Sequence, residues 1–296
     1  MNIEKGGFVS SCTGYPGGQK GGFVAFVMVV LLLVSFVPAA LAEVAVHRVP
    51  DPDGFMAPTL EGPWRKSISL SLWAPTSVTF KTDNGESKET INKNLGWLLD
   101  VIDYEVPLEV EFRKGSFGVY AHLLAFKISD TIEQGHLKLN YDDEGYLLDA
   151  GISYELGHWA LGSGENPSVL TLEPFAGIRH LHDPVDITIR FEPIGVGREK
   201  TIDLSYTSPV IGLRAFVDLN EQWNLRFDGD YGGFGVDDNH ENWNLRGLVG
   251  YRFPGWGIGW NIQAGYRSMR VMGLQESAAD VRIDIHGPVA LISAEF

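Results

Sequence analysis

From Ser67 to Leu72 the chain reads Ser-Ile-Ser-Leu-Ser-Leu, with every apolar residue on one parity and every serine on the other. A period of two marks a strand with two unlike faces. The pattern recurs. Leu108, Val110 and Phe112 alternate with Glu109, Glu111 and Arg113, and beyond a tight Lys114-Gly115 turn Phe117, Val119, Ala121 and Leu123 alternate with Gly118, Tyr120 and His122. Leu148, Ala150, Ile152, Tyr154 and Leu156 oppose Asp149, Gly151, Ser153 and Glu155. Trp223, Leu225 and Phe227 oppose Asn224, Arg226, Asp228 and Asp230, and Ile258, Trp260, Ile262, Ala264 and Tyr266 oppose Gly259, Asn261, Gln263, Gly265 and Arg267.

These stretches run about nine to twelve residues, the length a tilted strand needs to cross a bilayer. Strands of soluble proteins run nearer five or six. One face carries Glu, Asp, Arg, Asn and Gln, as a barrel lumen does, while the other is almost uncharged. A soluble sheet of this pattern needs a second layer over its apolar face, and no long amphipathic helices are available to supply one. The pattern therefore predicts an all-β fold, a transmembrane antiparallel up-and-down β-barrel. Ten strands are expected near 66–74, 106–113, 116–127, 146–156, 169–181, 207–217, 223–234, 243–253, 258–270 and 285–296. Eight is the alternative count, if the first or fifth hairpin is a loop excursion.

Connection lengths alternate as such a barrel requires. Lys114-Gly115, Asp218–Gln222 and Pro254–Gly257 are short periplasmic turns, and Gly157–Ser168 is a longer one. Pro75–Glu105, Ile128–Gly145, Leu181–Tyr206 and Val271–Asp284 are long external loops, and Gly235–Asn242 is a short one. Within the first of these, Ile91, Leu95, Leu98, Leu99 and Ile102 recur at helical spacing and predict one short helix. Gly96 in its middle costs about 1 kcal/mol and keeps it short.

The N-terminus reads differently. Lys5 and Lys20 precede an apolar run from Phe23 to Val37, and Ala40-Leu41-Ala42 follows. That is a secretory signal over residues 1–42 with cleavage before Glu43. A permanent anchor over Phe23–Leu41 is the rival, against which Pro38 and the Ala-x-Ala site argue. The long segment before the run admits a start codon downstream of Met1. Residues 43–65 read as an irregular periplasmic leader, and 66–296 as the barrel. Cys12, the sole cysteine, leaves with the signal, so the mature chain has no disulfide. A net charge of −15 argues against a nucleic-acid partner, since no basic stripe is available to replace phosphate counterions.

Four times the chain repeats Gly-apolar-Arg, at Gly177-Ile178-Arg179, Gly212-Leu213-Arg214, Gly250-Tyr251-Arg252 and Gly265-Tyr266-Arg267. Period two sends Gly and Arg inward together, and each glycine is expected to leave room for an arginine from a neighbouring strand. With Arg113, Arg226 and Arg246 these arginines face Glu109, Glu111, Asp149, Glu155, Asp228 and Asp230. A barrel of eight to ten strands is just wide enough for side chains to fill, so the charges are expected to pair into a plug. The alternative is a charged conduit.

His180-Leu181-His182-Asp183 lies at a strand mouth and is the weak rim candidate for general base chemistry. It lacks a third fixed ligand, so no metal is assigned. Asp142-Asp143-Glu144 and Asp237-Asp238-Asn239-His240 are acidic loop clusters, either solvated or bridging divalent cations to lipopolysaccharide. Gly232-Gly233-Phe234-Gly235 lacks the Gly-Lys-Ser/Thr ending of a phosphate loop, and no cofactor is expected. It reads as a strand end before a tight external loop.

The C-terminal half carries an ordered set of motifs: Gly229-Asp230-Tyr231-Gly232-Gly233-Phe234-Gly235, Trp243, Gly250-Tyr251-Arg252-Phe253, Gly265-Tyr266-Arg267 and Gly287-Pro288. Leu72-Trp73-Ala74-Pro75 and Leu98-Leu99-Asp100 lie upstream. Together they resemble a widespread group of proteobacterial outer-membrane β-barrel proteins over most of residues 66–296. The chain departs where Arg270-Val271-Met272 stands in place of the group's frequent Val-Asp-Tyr. Its last residue, Phe296, looks like the terminal aromatic that barrel-assembly machinery reads. The resemblance implies fold and an outer-membrane location in a Gram-negative bacterium, and transfers no catalytic residue. Expected partners are outer-membrane lipid, lipopolysaccharide and that machinery, with the barrel a monomer. Three functions compete: a closed envelope or surface-interaction barrel acting through its loops, a narrow passive channel, and a rim hydrolase.

Overall fold

In a computed structural model of the chain, the alternating stretches pair each with the next, because only ring closure satisfies every strand edge in lipid. Residues 55–56, 62–83, 88–134, 137–163, 166–191, 196–203, 205–236, 239–274 and 280–296 are described. The signal segment, Cys12, Asp237 and Asp238 lie outside the described residues.

In chain order the elements begin with β1 (Phe55–Met56), β2 (Trp64–Trp73), β3 (Ser77–Asp83), β4 (Lys88–Asn94) and the helix α1 (Leu95–Val101). There follow β5 (Ile102–Lys114), β6 (Phe117–Gln134), β7 (Leu137–Tyr154), β8 (Gly157–Leu161) and β9 (Ser168–His182). Next come β10 (Pro184–Phe191), β11 (Val196–Asp203), β12 (Tyr206–Asp218) and β13 (Trp223–Val236). The chain ends with β14 (Asn239–Gly255), β15 (Ile258–Leu274) and β16 (Asp280–Glu295).

Ten of these form the closed antiparallel ring, in the order β2, β5, β6, β7, β9, β12, β13, β14, β15, β16 and back to β2. They are the ten stretches that the alternation predicts. The seam joins Val289↔Trp73 through Glu295↔Ser67, and paired backbone bonds between Lys66 and Phe296, each 2.9 Å, finish it at the C-terminus.

Outside the ring the expected loops prove to be partly sheet. β3 continues the pairing of β16 beyond β2 and carries β4 at its side. β10 pairs with the distal half of β7 and carries β11. β6 and β7 stay paired to Gln134↔Leu137, through the whole of the expected loop from Ile128 to Gly145. The hairpin strands of seven and eight residues fall short of the spanning length, so they lack the signal that marked the barrel strands. At the end with the short turns β8 continues the line of β7 past a bulge, and β1 pairs with it, so the leader is not wholly irregular.

The helix is shorter than its apolar spacing suggests. Ile91 belongs to β4 and Ile102 to β5, so only the central part is helical. Asn94 caps it, its Oδ1 accepting from Trp97 N–H at 3.0 Å, and Val101 in its last turn is buried. Gly233, Phe234 and Gly235 take positive φ (98°, 51° and 72°) where the β13–β14 register slips, which gives the glycine run a bulge to serve.

The wall has an apolar outside. Leu70, Leu72, Ile178, Ile211, Leu213, Phe227, Val249 and Ile262 are all large, outward and exposed. Trp223, Tyr251, Phe253 and Trp256 rim one end of this belt, and Tyr231, Phe234 and Tyr266 the other. An apolar band between aromatic girdles is the surface of a barrel that sits in lipid. No helix among the described residues is long and apolar enough to cross a membrane, and the strands do the crossing.

Candidate functional site

Inside the ring the parity reverses, and the inward residues stack in tiers. At the short-turn end a cavity of about 230 Å³ is lined by Arg65, Ser69, Glu155, His158, Asn224, Arg252, Gln263, Glu295 and Phe296 among others. Arg252 Nη1 holds Asp218 at 2.6 Å there. Glu155 and His158 are three apart yet meet at 2.6 Å, because the bulge between β7 and β8, with Gly157 at φ 147°, turns His158 inward. His158 Nδ1 also lies 2.7 Å from Thr171 Oγ1.

Above the cavity lies the main plug. Arg214 on β12 is 2% exposed and places Nη1 2.8 Å from Glu111 on β5 and 3.1 Å from Glu173 on β9. Arg246 Nη1 reaches Glu109 at 2.5 Å, and its Nε donates to Asp228 at 2.8 Å. Arg226 Nε donates to the other Asp228 oxygen at 2.9 Å. Arg113 bridges Glu173 and, at 3.2 Å, Glu111. Four arginines (113, 214, 226, 246) thus meet four carboxylates (109, 111, 173, 228) across the full width of the lumen. A buried charge set of this kind is tolerable only when paired and hydrogen-bonded throughout.

A second group sits higher. Arg179, 1% exposed, grips Asp149 with Nε at 2.7 Å and Nη2 at 2.8 Å, contacts Asp230 at 3.1 Å, and donates to Asn242 Oδ1 at 2.9 Å. Arg267 has no carboxylate bridge among the described residues. It donates to Asn244 Oδ1 at 2.7 Å and stacks 4.5 Å from the Trp73 ring centroid. A small void of about 50 Å³ separates the two groups. Over them lies an apolar roof of Trp73, Leu147, Leu181, Tyr206, Met269, Val271 and Val289.

Glu173, at 0% exposure the most buried carboxylate of the plug, is absent from the set that sequence reasoning assembled. Its signal was present: Thr171, Glu173, Phe175, Gly177 and Arg179 share one inward parity. The glycine expectation is corrected too. A Cβ on Gly212 would stand 2.3 Å from the Phe175 ring, and one on Gly177 would meet the Ala150 carbonyl at 2.3 Å and the Tyr120 hydroxyl at 2.8 Å. Gly177, Gly212 and Gly265 therefore seat an aromatic ring or close backbone, and Gly250 the Asn224 and Asn261 amides, not arginines. The aromatic rings then carry Arg214, which lies 4.7 Å from Tyr120 and 4.9 Å from Phe175.

The rim residues do not converge. His180 and His182 lie on the outer face on either side of Tyr146, their Nδ1 atoms bonded to Thr207 (2.8 Å) and Ser205 (2.9 Å). Asp183 is buried on the opposite parity. Among the described residues no His, Cys, Asp and Glu group is placed to hold a metal.

A closed ring with a paired, charged lumen and an apolar outside defines a transmembrane β-barrel. No protein-family model and no curated protein matches the chain. Among solved structures it is similar to Ail, the attachment invasion locus protein of Yersinia pestis, in complex with the heparin analogue sucrose octasulfate: TM-score 0.33, 10% identity, 79% of this chain and 100% of that one. A FadL homologue of Pseudomonas aeruginosa gives 0.26, at 8% identity over 79% and 89%. The outer membrane protease OmpT of Escherichia coli gives 0.24, at 9% identity over 81% and 99%. At these scores no argument passes from them to this chain, and the fold rests on its own strand pairing.

Proposed function

We propose that the chain is a closed, monomeric barrel of the outer membrane of a Gram-negative bacterium, exported with a cleaved signal, which interacts through its extracellular hairpins. The charge-matched plug carries this reading. Arg113, Arg214, Arg226 and Arg246 and their four carboxylates cross the lumen from β5 to β9 and β12–β14, under an apolar roof. Water and ions meet paired charge and then hydrocarbon. The apolar belt, its girdles and the motif resemblance support the location, and Phe296 at the closing seam is the expected signal to the assembly machinery.

The β3–β4 and β10–β11 hairpins stand beyond the belt, where specificity is made by exposed residues. The periplasmic cavity favours the second reading, a narrow channel, since it is a polar vestibule that already reaches the plug. Planar-bilayer recording separates the two. The closed reading expects no openings from the wild type. Unitary openings from it would overturn that reading, and silence in the wild type, Arg214→Ala and Arg267→Ala alike would remove the channel.

A further inference from the structure

Above the belt the outer wall becomes polar unevenly. On the sheet β14–β15–β16–β3, cross-strand partners give one row of Trp243, Arg270, Asp284 and Thr79. The next row outward is Glu241, Met272, Arg282 and Lys81. Residues paired across antiparallel strands share a face, and parity along β15 puts Arg270 on the face of Tyr266, which is 52% exposed. Both rows therefore point away from the lumen.

Asp284 is the buried centre of the cluster. Arg270 donates Nε to its Oδ1 at 2.5 Å, Arg282 donates Nε to its Oδ2 at 3.0 Å, and Lys81 Nζ stands 4.0 Å from Oδ2. Held at Nε, both guanidinium forks keep Nη groups for another acceptor; Arg270 Nη1 lies 3.5 Å from Glu241, and its Cζ stands 5.1 Å from the Trp243 ring. Side-chain exposures of 46%, 23% and 32% for Lys81, Arg270 and Arg282 leave all three reachable. Within these two rows three cations stand against two carboxylates, in a chain whose net charge is −15.

The height matters as much as the charge. Arg270 is four residues beyond Tyr266, roughly 13 Å along the strand and less along the tilted barrel normal. That is the depth at which a lipid head group begins. Beneath it Ser268 Oγ and His286 Nδ1 pair at 2.9 Å, then Leu245, Tyr266 and Pro288 start the apolar wall, which runs on to Ile292. On the opposite wall, where β6 pairs with β7, Lys127 is held between Asp142 (3.4 Å) and Glu144 (3.2 Å).

We propose that Lys81, Arg270 and Arg282 form a binding site for the phosphate groups of an outer-leaflet lipid whose acyl chains lie along Leu245, Tyr266 and Ile292. Guanidinium forks match phosphate oxygens in pairs, a lysine adds a point charge, and Trp243 suits the interface. The proposal rests on the outer-membrane reading above and gives it a specific lipid chemistry.

The test uses the full mature chain folded in phosphatidylcholine nanodiscs, probed with bisphosphorylated lipid A and with the same lipid stripped of phosphate. Vesicle flotation comes first. A chain that does not float with lipid defeats the barrel reading itself, whereas failure of the site leaves flotation intact. The wild type is expected to bind the phosphorylated form at least tenfold more tightly. Lys81→Gln/Arg270→Gln/Arg282→Gln is expected to lose that preference and to keep its affinity for the stripped lipid. Should the triple variant not fold, judged by heat-modifiable gel mobility, Arg282→Gln alone carries the test with a smaller loss. Equal binding of both lipids by the wild type, or an unchanged preference in a folded variant, overturns the site. Full displacement by inorganic phosphate at the lipid's own concentration marks a free-anion site and overturns the lipid assignment.

Discussion

The barrel wall has two regions with the same strands and opposite faces. In the belt, Leu70, Leu72, Ile211, Leu213 and Ile262 point outward at 46–65% exposure, while Arg214 and Glu173 are buried inside. A few residues further along the same strands, Leu181, Met269 and Val271 point inward and are buried, while His180, Arg270 and Arg282 face out. The strand pairing runs through without a break, as in β15 against β16 from Gly259↔Glu295 to Leu274↔Asp280. Backbone geometry is indifferent to which face is apolar. What lies outside decides it: hydrocarbon in one region, water in the other. The lumen then follows by difference, polar and paired where the outside is greasy, and apolar where the outside is wet.

The largest effect expected from disturbing this contrast is in the plug. Glu173→Ala leaves Arg113 and Arg214 short of a shared carboxylate and should cost about 3–5 kcal/mol, read from urea unfolding in micelles. Replacing partners together, as Glu173→Leu with Arg214→Met, should recover most of that loss, because a well-packed apolar pair avoids the desolvation. No recovery would mean that the plug is held as a whole network and not by pairs.

The same arginine placed on the two outer walls should then behave differently. Leu213→Arg, in mid-belt, should cost about 2–4 kcal/mol, as charges on a lipid face do. Thr79→Arg, outward on β3 beyond the belt, should stay within about 0.5 kcal/mol. Equal costs at the two sites would break the assignment of the boundary near Tyr266.

A modest pH dependence is expected in the region beyond the belt. At Asp284, which lies beyond the belt, partial burial acts to raise the carboxyl and is outweighed by hydrogen bonds and charge from Arg270 and Arg282, which hold it below the usual aspartate range. A depressed folded value gives stability that is complete above the unfolded pKa and lost as pH falls through the folded one. Unfolding followed from pH 6 down to pH 2 should show this loss, at most about 1 kcal/mol because the cations around Asp284 are solvent-exposed, and Asp284→Asn should abolish it.

Much of the molecule could be read from the chain, because a period of two is a local property. Ile68, Leu70 and Leu72 against Ser67, Ser69 and Ser71 gave both the strand and its two faces, five further stretches did the same, and the ten expected strands are the ten of the ring. The inward residues Glu109, Glu111, Arg113, Arg179, Arg214 and Arg246 followed from parity alone. The β10–β11 hairpin did not, since short strands outside lipid carry no spanning signature. Glu173 shared the parity of Arg179 but not the Gly-apolar-Arg pattern that drew attention to the arginines.

The sequence by itself determined the class of fold and the face of nearly every barrel residue, because alternation couples only neighbours along one strand, whereas ten strands against eight was decided by the pairing of the closed ring. Partnership across the lumen was decided by the tertiary structure. Arg214 meets Glu111 from 103 positions away, and Arg246 meets Glu109 from 137. The seating of Phe175 on Gly212, the inward turn of His158 at a bulge and the gathering of Lys81, Arg270 and Arg282 around Asp284 likewise depend on ring closure and register. Local periodicity orients a side chain toward a space, and only the closed sheet determines which other side chains share it.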